Sequence, residues 1–316
     1  MKTRGIWIVL TLVAVAVVIF LSLRRGGPRV PQAYLYDVEQ YREAETQVPL
    51  PYKETARWPL ALREPRAVAV KGDGPVVVVG DRVALVLDAA GEELRRIELA
   101  DEPRCVAVAD VVYVGFLDRI VAYGLDGEKQ AEWETLGEQA YLTGLAILGD
   151  EVFATDYGQR VVWRFDAEGK MRGRIRSASK SDGFVFPSPT FDVAADGDGL
   201  WVVNSGRRRV EQYSPQGKRG TMWGRSSMEL DGFSGCCNPT HIAVMPDGRF
   251  VTTEKGLPRV KVYAADGTFA ALVAGSVQLG QDAGLLDVAV DAAGRILVLD
   301  AADRSIRIYE EQPDDG

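Results

Sequence analysis

The sequence predicts an all-β chain, a six-bladed β-propeller closed by an N-terminal strand and preceded by one transmembrane helix. Three observations predict it. A strand-like motif recurs six times at spacings of 37 to 50 residues. A second strand-like motif upstream of each copy carries an alanine at one fixed position. An uncharged run of 19 residues stands near the N-terminus.

The uncharged run is GIWIVLTLVAVAVVIFLSL, residues 5 to 23. At about 1.5 Å per residue it reaches about 28 Å, the thickness of a bilayer core. The residues after it, Ser-Leu-Arg-Arg, make a poor cleavage site. Residues 1–23 therefore read as an uncleaved signal anchor, and residues 24–53 as a stalk with a short helix around 34–44. Basic residues flank both ends of the run, so charge bias does not set its orientation. A short N-terminal anchor usually leaves its tail in the cytoplasm. The expected location is a single-pass membrane protein with residues 54–316 extracytoplasmic, periplasmic in a bacterium.

The repeats begin after the stalk. "RVALVL", "RIVAYG", "RVVWRF", "RVEQY", "RVKVY" and "SIRIY" alternate as strands do. Each follows a short apolar strand ending in an acid or amide, at Asp81, Asp118, Asp156, Asn204, Glu254 and Asp300. Upstream lie "RAVAV", "RCVAV", "TGLAI", "FDVAA", "THIAV" and "LDVAV", whose fourth letter is always alanine. A small side chain suits a crowded place near an axis. Turns such as "PDGR" separate the strands, and a fourth strand follows. Four antiparallel strands per unit and six units make a propeller. The last unit stops at Tyr309, one strand short, and "ETARWPLAL" (54–62) supplies that strand. Closure removes free sheet edges.

The pattern is clearest in "NPTHIAVMPDGRFVTTEKGLPRVKVY", and it resembles the NHL repeat over about residues 54 to 311. That family includes protein-binding sensors, RNA-binding modules and a zinc-dependent amidating lyase, so the resemblance implies a fold rather than one activity. The lyase would imply several channel histidines, and this chain has one. A sugar-lactonase-like propeller would imply Glu, Asn and Asp ligands, which Asp192, Asp287 and Asn204 match loosely.

Composition narrows the function. The chain has 316 residues, 47% apolar and 26% charged, with net charge −8. An acidic balance without aromatic–basic stripes argues against nucleic acid. Three cysteines make no disulfide framework. No phosphate loop, nucleophile triad or paired CxxC is present.

Two stretches carry the candidate chemistry. Two positions before each fixed alanine stand Ala67, Cys105, Gly144, Asp192, His241 and Asp287. A propeller brings these to one level of the channel. Asp192, His241 and Asp287 come from adjacent blades, and an imidazole between two carboxylates can bind a divalent metal ion or act as an oriented general base. The second stretch is "DGFSGCCNPT", residues 231–240, counterpart of "DGFVFPSPT" at 182–190. Cys236, Cys237, Asn238, Glu254 and Lys255 are expected to gather with His241, Asp192 and Asp287 at one mouth and bind a protein partner or small ligand. For Cys236 and Cys237 three readings stand open: a buried pair in a tight turn, a disulfide, or thiolate metal ligands. Three functions follow: a binding or scaffold propeller, plausibly within a membrane redox assembly; a metal-dependent hydrolase or lyase; and a thiol redox protein.

Overall fold

The computed structural model describes residues 38–176, 182–197, 199–280 and 283–313. The chain divides into two compact units, Met1–Glu39 and Gln40–Gly316. The run expected to cross the membrane, 5–23, lies outside the described residues. No helix among the described residues is long and apolar enough to cross a membrane.

The second unit is six four-stranded antiparallel sheets. Their inner strands are Pro65–Val70, Cys105–Val108, Leu142–Leu148, Val193–Asp196, His241–Val244 and Leu286–Val290. Five sheets use four consecutive strands. The sixth takes its outer strand from the N-terminal side: Tyr52–Pro59 pairs with Ser305–Glu311, Trp58 opposite Ile306. The expected closing strand therefore exists, starting two residues earlier and ending three earlier than the motif.

Packing closes the ring. Each apolar core cluster joins two consecutive blades. One couples Val298 and Leu286 to Val251 and Val262, another Ile306 and Leu297 to Val78 and Leu85. The second of these ties the last blade to the first. A repeated contact reinforces it. Trp58, Trp133 and Trp223 stand at or beside the outer strand of one blade, against a turn glycine of the next. A Cβ on Gly91, Gly169 or Gly267 would lie 2.2–2.3 Å from the indole, and all three have φ between 83° and 88°. Only glycine combines that backbone with no side chain.

The six polar residues at or just after the ends of the second strands act as staples. Asp81 accepts the amides of Arg63 and Glu64, Asp156 that of Tyr141, and Asn204 that of Val185. Glu254 accepts Ser234 N at 2.7 Å. Each ties down the loop that enters its blade's inner strand. Asp118 and Asp300 instead bind Thr135 Oγ1 and Asp303 N. Helix α1, Val38–Glu45, lies close to the helix expected at 34–44. Glu45 is 4% exposed. It pairs with Arg259 at 2.7 Å and accepts Ser276 N and Oγ.

Candidate functional site

The inner strands surround a channel of about 680 Å³. All six fixed alanines line it, which accounts for their size at a crowded axis. Ala67, Cys105, Gly144, Asp192, His241 and Asp287 line it too. His241 Nδ1 lies 3.1 Å from Asp287 Oδ1 and 3.4 Å from Asp192 Oδ2. Equal positions along equivalent strands thus become neighbours, although 95 residues separate the two acids.

The acids are held by backbone. Asp192 Oδ2 accepts Ile242 N at 3.0 Å, reaching into the next blade. Asp287 Oδ2 accepts Val68 N at 2.8 Å, across the ring closure, and its Oδ1 accepts Val288 N at 2.8 Å. Gly144 makes room: a Cβ there would lie 2.4 Å from Asp192 Oδ1.

Burial alone would push the His241 imidazole down in pKa. The charges of Asp287 and Asp192 outweigh it and bring the group up to about 9. Asp287 is pushed up to about 6, by burial first; His241 opposes the rise and Asp192 adds to it. At neutral pH the three groups are an imidazolium between two carboxylates. Burial, then the two acids, also raise the Cys105 thiol. His241 Nε2 is buried with no hydrogen-bonding partner. An orphaned buried donor costs about 1–3 kcal/mol.

Ligand atoms of Asp192, His241 and Asp287 all lie within 4.8 Å of one another. Three N/O donors with open positions fit a divalent ion. The imidazole must first lose its proton, so such an ion competes with protons.

Basic side chains surround the acids. Arg63, Arg66, Arg104 and Lys255 line the channel with Glu64 and Tyr141. Arg66 pairs with Glu64 at 3.0 Å. Arg104 donates to the Tyr141 hydroxyl at 2.5 Å, its guanidinium carbon 4.6 Å from that ring's centre. Lys255 donates to Ser188 Oγ at 2.8 Å. The sequence reading missed the arginines and Tyr141. A signal existed: Arg66 and Arg104 stand one residue before the column that holds the acids and His241.

The cysteine loop departs from expectation in three places. Cys236 is exposed and Cys237 half-buried, so the pair does not fill a buried turn. Both are free thiols, and neither lines the channel. Glu254, expected at the mouth, is fully buried. Its Oε1 lies 2.6 Å from Lys261 Nζ, a distance for an ion pair but without hydrogen-bond geometry. Lys261 is also fully buried and donates to Leu230 O at 3.0 Å and Gly232 O at 2.6 Å. Asn238 is buried and serves as a clamp, holding Lys255 N, Lys255 O and Ser234 O. Asn204 is buried against Glu211 and Val185 and does not line the channel.

No protein-family model matches the sequence, and no curated protein matches it. Solved structures do. A structural-genomics protein of unknown function from Bacteroides thetaiotaomicron is 15% identical, TM-score 0.58, over 84% of this chain and 73% of its own. A streptogramin B lyase is 13% identical, TM-score 0.57, over 82% of this chain and 97% of its own. The WD40 β-propeller domain of Doa1 is 13% identical, TM-score 0.57, over 83% and 97%. At such identities the likeness concerns the fold alone, and it establishes that this chain is built as a β-propeller.

Proposed function

We propose that this chain is an NHL-type binding propeller, tethered by its N-terminal apolar segment with the ring extracytoplasmic, whose channel mouth takes up a small organic anion. One observation carries the ligand class. A chain of net charge −8 gathers four Arg and Lys side chains against three carboxylates at its channel, and His241 adds a fifth positive charge. The hydrogen-bonding partners of Arg104 and Lys255 there are the neutral hydroxyls of Tyr141 and Ser188. The deeper wall is Ala and Val, suited to an apolar tail. The six repeats support the NHL reading, and the uncharged run 5–23 supports the tether.

Calorimetric titration with short mono- and dicarboxylates and inorganic phosphate tests this reading. Saturable binding is expected for at least one anion, weakening with salt. Arg104→Ala and Lys255→Ala should each weaken it about tenfold, roughly 1.4 kcal/mol. Full affinity in the double variant, or no saturable anion at all, would point instead to a protein docked on the loops.

A second reading rests on the Asp192–His241–Asp287 donor set: a metal-dependent hydrolase or lyase. It requires close to one divalent ion per chain by elemental analysis after purification without chelators. Sub-stoichiometric metal retires it.

A further inference from the structure

Cysteine is among the residues most often fully buried, and neighbouring side chains on an extended strand point to opposite faces. Cys236 and Cys237 follow neither rule. Both are accessible, and their sulfurs lie 3.0 Å apart. About 1 Å of approach separates that distance from a disulfide bond of about 2.05 Å.

The loop is built to hold them so. Ser234 and Asn238, on either side, are 3% and 2% exposed. Asn238 Nδ2 donates to Ser234 O at 2.9 Å and to Lys255 O at 3.0 Å, and its Oδ1 accepts Lys255 N at 3.0 Å. Ser234 N and Oγ both donate to Glu254 Oε2. These bonds cinch the ends of the turn and leave Gly235, Cys236 and Cys237 at its tip. Gly235 takes φ +64°, which favours glycine. Arg208 Nε donates to Gly235 O at 2.8 Å and brings a second cation to the tip beside Lys255.

The surroundings divide the two thiols. Burial would raise Cys237. Hydrogen bonds with Cys236 and Ser188, and the charges of Lys255 and Arg208, outweigh it and lower the group. Cys236 is raised, chiefly by its bond to Cys237. Of the two sulfurs, Cys237 is therefore the more readily ionised.

We propose that Cys236 and Cys237 form a thiol–disulfide exchange site that passes two electrons to a disulfide-bearing partner, with Cys237 attacking and Cys236 resolving. The Cys237 thiolate attacks one sulfur of the incoming disulfide. That S–S bond breaks, and the other sulfur leaves as a thiolate and takes a proton. Cys236 then gives up its proton and attacks Cys237 Sγ. The mixed disulfide breaks, and the second partner sulfur leaves and is protonated. Two protein thiols become one disulfide between neighbours, and one partner disulfide becomes two thiols. The two cysteines do not line the channel, although Lys255 serves both places, and the exchange chemistry does not depend on the anion reading.

The test equilibrates the whole chain with mixtures of oxidised and reduced glutathione, then blocks free thiols and reads the peptide spanning 226–245 by mass spectrometry. Wild type should pass reversibly between a dithiol and a form lighter by two hydrogens. Cys236→Ser should trap glutathione on Cys237, and at pH 7 should do so at least tenfold faster than Cys237→Ser traps it on Cys236. The wild-type measurement needs no substitution, and tryptophan emission checks that both variants are folded. A pair that stays as free thiols, or takes glutathione on both sulfurs without bonding to itself, would overturn the proposal. Equal trapping rates in the two variants would overturn the assignment of Cys237 as the attacking group.

Discussion

Lys261→Met lowers the unfolding free energy by about 3–5 kcal/mol, the usual cost of removing one partner of a buried ion pair. The native ammonium has no exposure and three claims on its charge: Glu254 and the carbonyls of Leu230 and Gly232. Burial lowers its pKa, and Glu254 works against that. Methionine fills much of the same volume and supplies none of those bonds. It leaves a carboxylate in a dry interior and two carbonyls without a donor. The damage should concentrate in the 231–240 loop, since Leu230 and Gly232 begin it and Glu254 holds Ser234. Adding Glu254→Gln should restore much of the loss. The amide oxygen still accepts from Ser234, and no charge remains buried. Urea unfolding of the three proteins reads this directly. A single variant that loses under 1 kcal/mol, or a double variant no better than the single, would show that the pair does not hold the loop.

The same two residues mark where the sequence stops being legible. The ring was readable because each blade repeats local signals: alternation, a turn glycine, an alanine at the axis. The trio Asp192, His241 and Asp287 was readable for a related reason, because equal positions on equivalent strands lie at equal height. Glu254 looked like the five other strand-ending residues, and like three of them it secures its blade's entry loop. Its distinguishing partner, Lys261, sits in "RVKVY" on the same side of the strand as Arg259 and Tyr263, where alternation alone predicts solvent or core with equal ease. The long entry loop decides the matter, because its carbonyls cap the ammonium. The exposure of Cys236 was hidden likewise. It depends on Asn238 reaching Lys255, a contact between two loops that carries no periodicity. Arg104 was missed because it stands next to the polar column rather than in it, and Tyr141 because it precedes the column by three residues.

Stability should fall by about 3 kcal/mol as pH rises from about 6.5 to about 9, and His241→Gln should abolish that fall. The folded imidazole holds its proton up to about 9, against 6.5 for a free one. At about 1.4 kcal/mol per unit this difference amounts to about 3 kcal/mol. The sign follows from proton uptake. The folded state binds the proton more tightly, so the stabilisation is complete below pH 6.5 and is lost as pH passes through 9. Asp287, raised to about 6 from 3.8, acts in the same direction but lower, between about pH 4 and 6. Wild type and His241→Gln should therefore differ most at and below about pH 6.5 and converge above about pH 9. The chain holds a single histidine, so one ring resonance reports its titration without assignment. A midpoint near 6.5, or a stability difference that stays flat from pH 6 to beyond 9, would mean that the two carboxylates do not hold the imidazolium. A midpoint near 9 would give the channel a fixed positive charge throughout the neutral range, flanked by acids already fastened to the backbone of neighbouring blades.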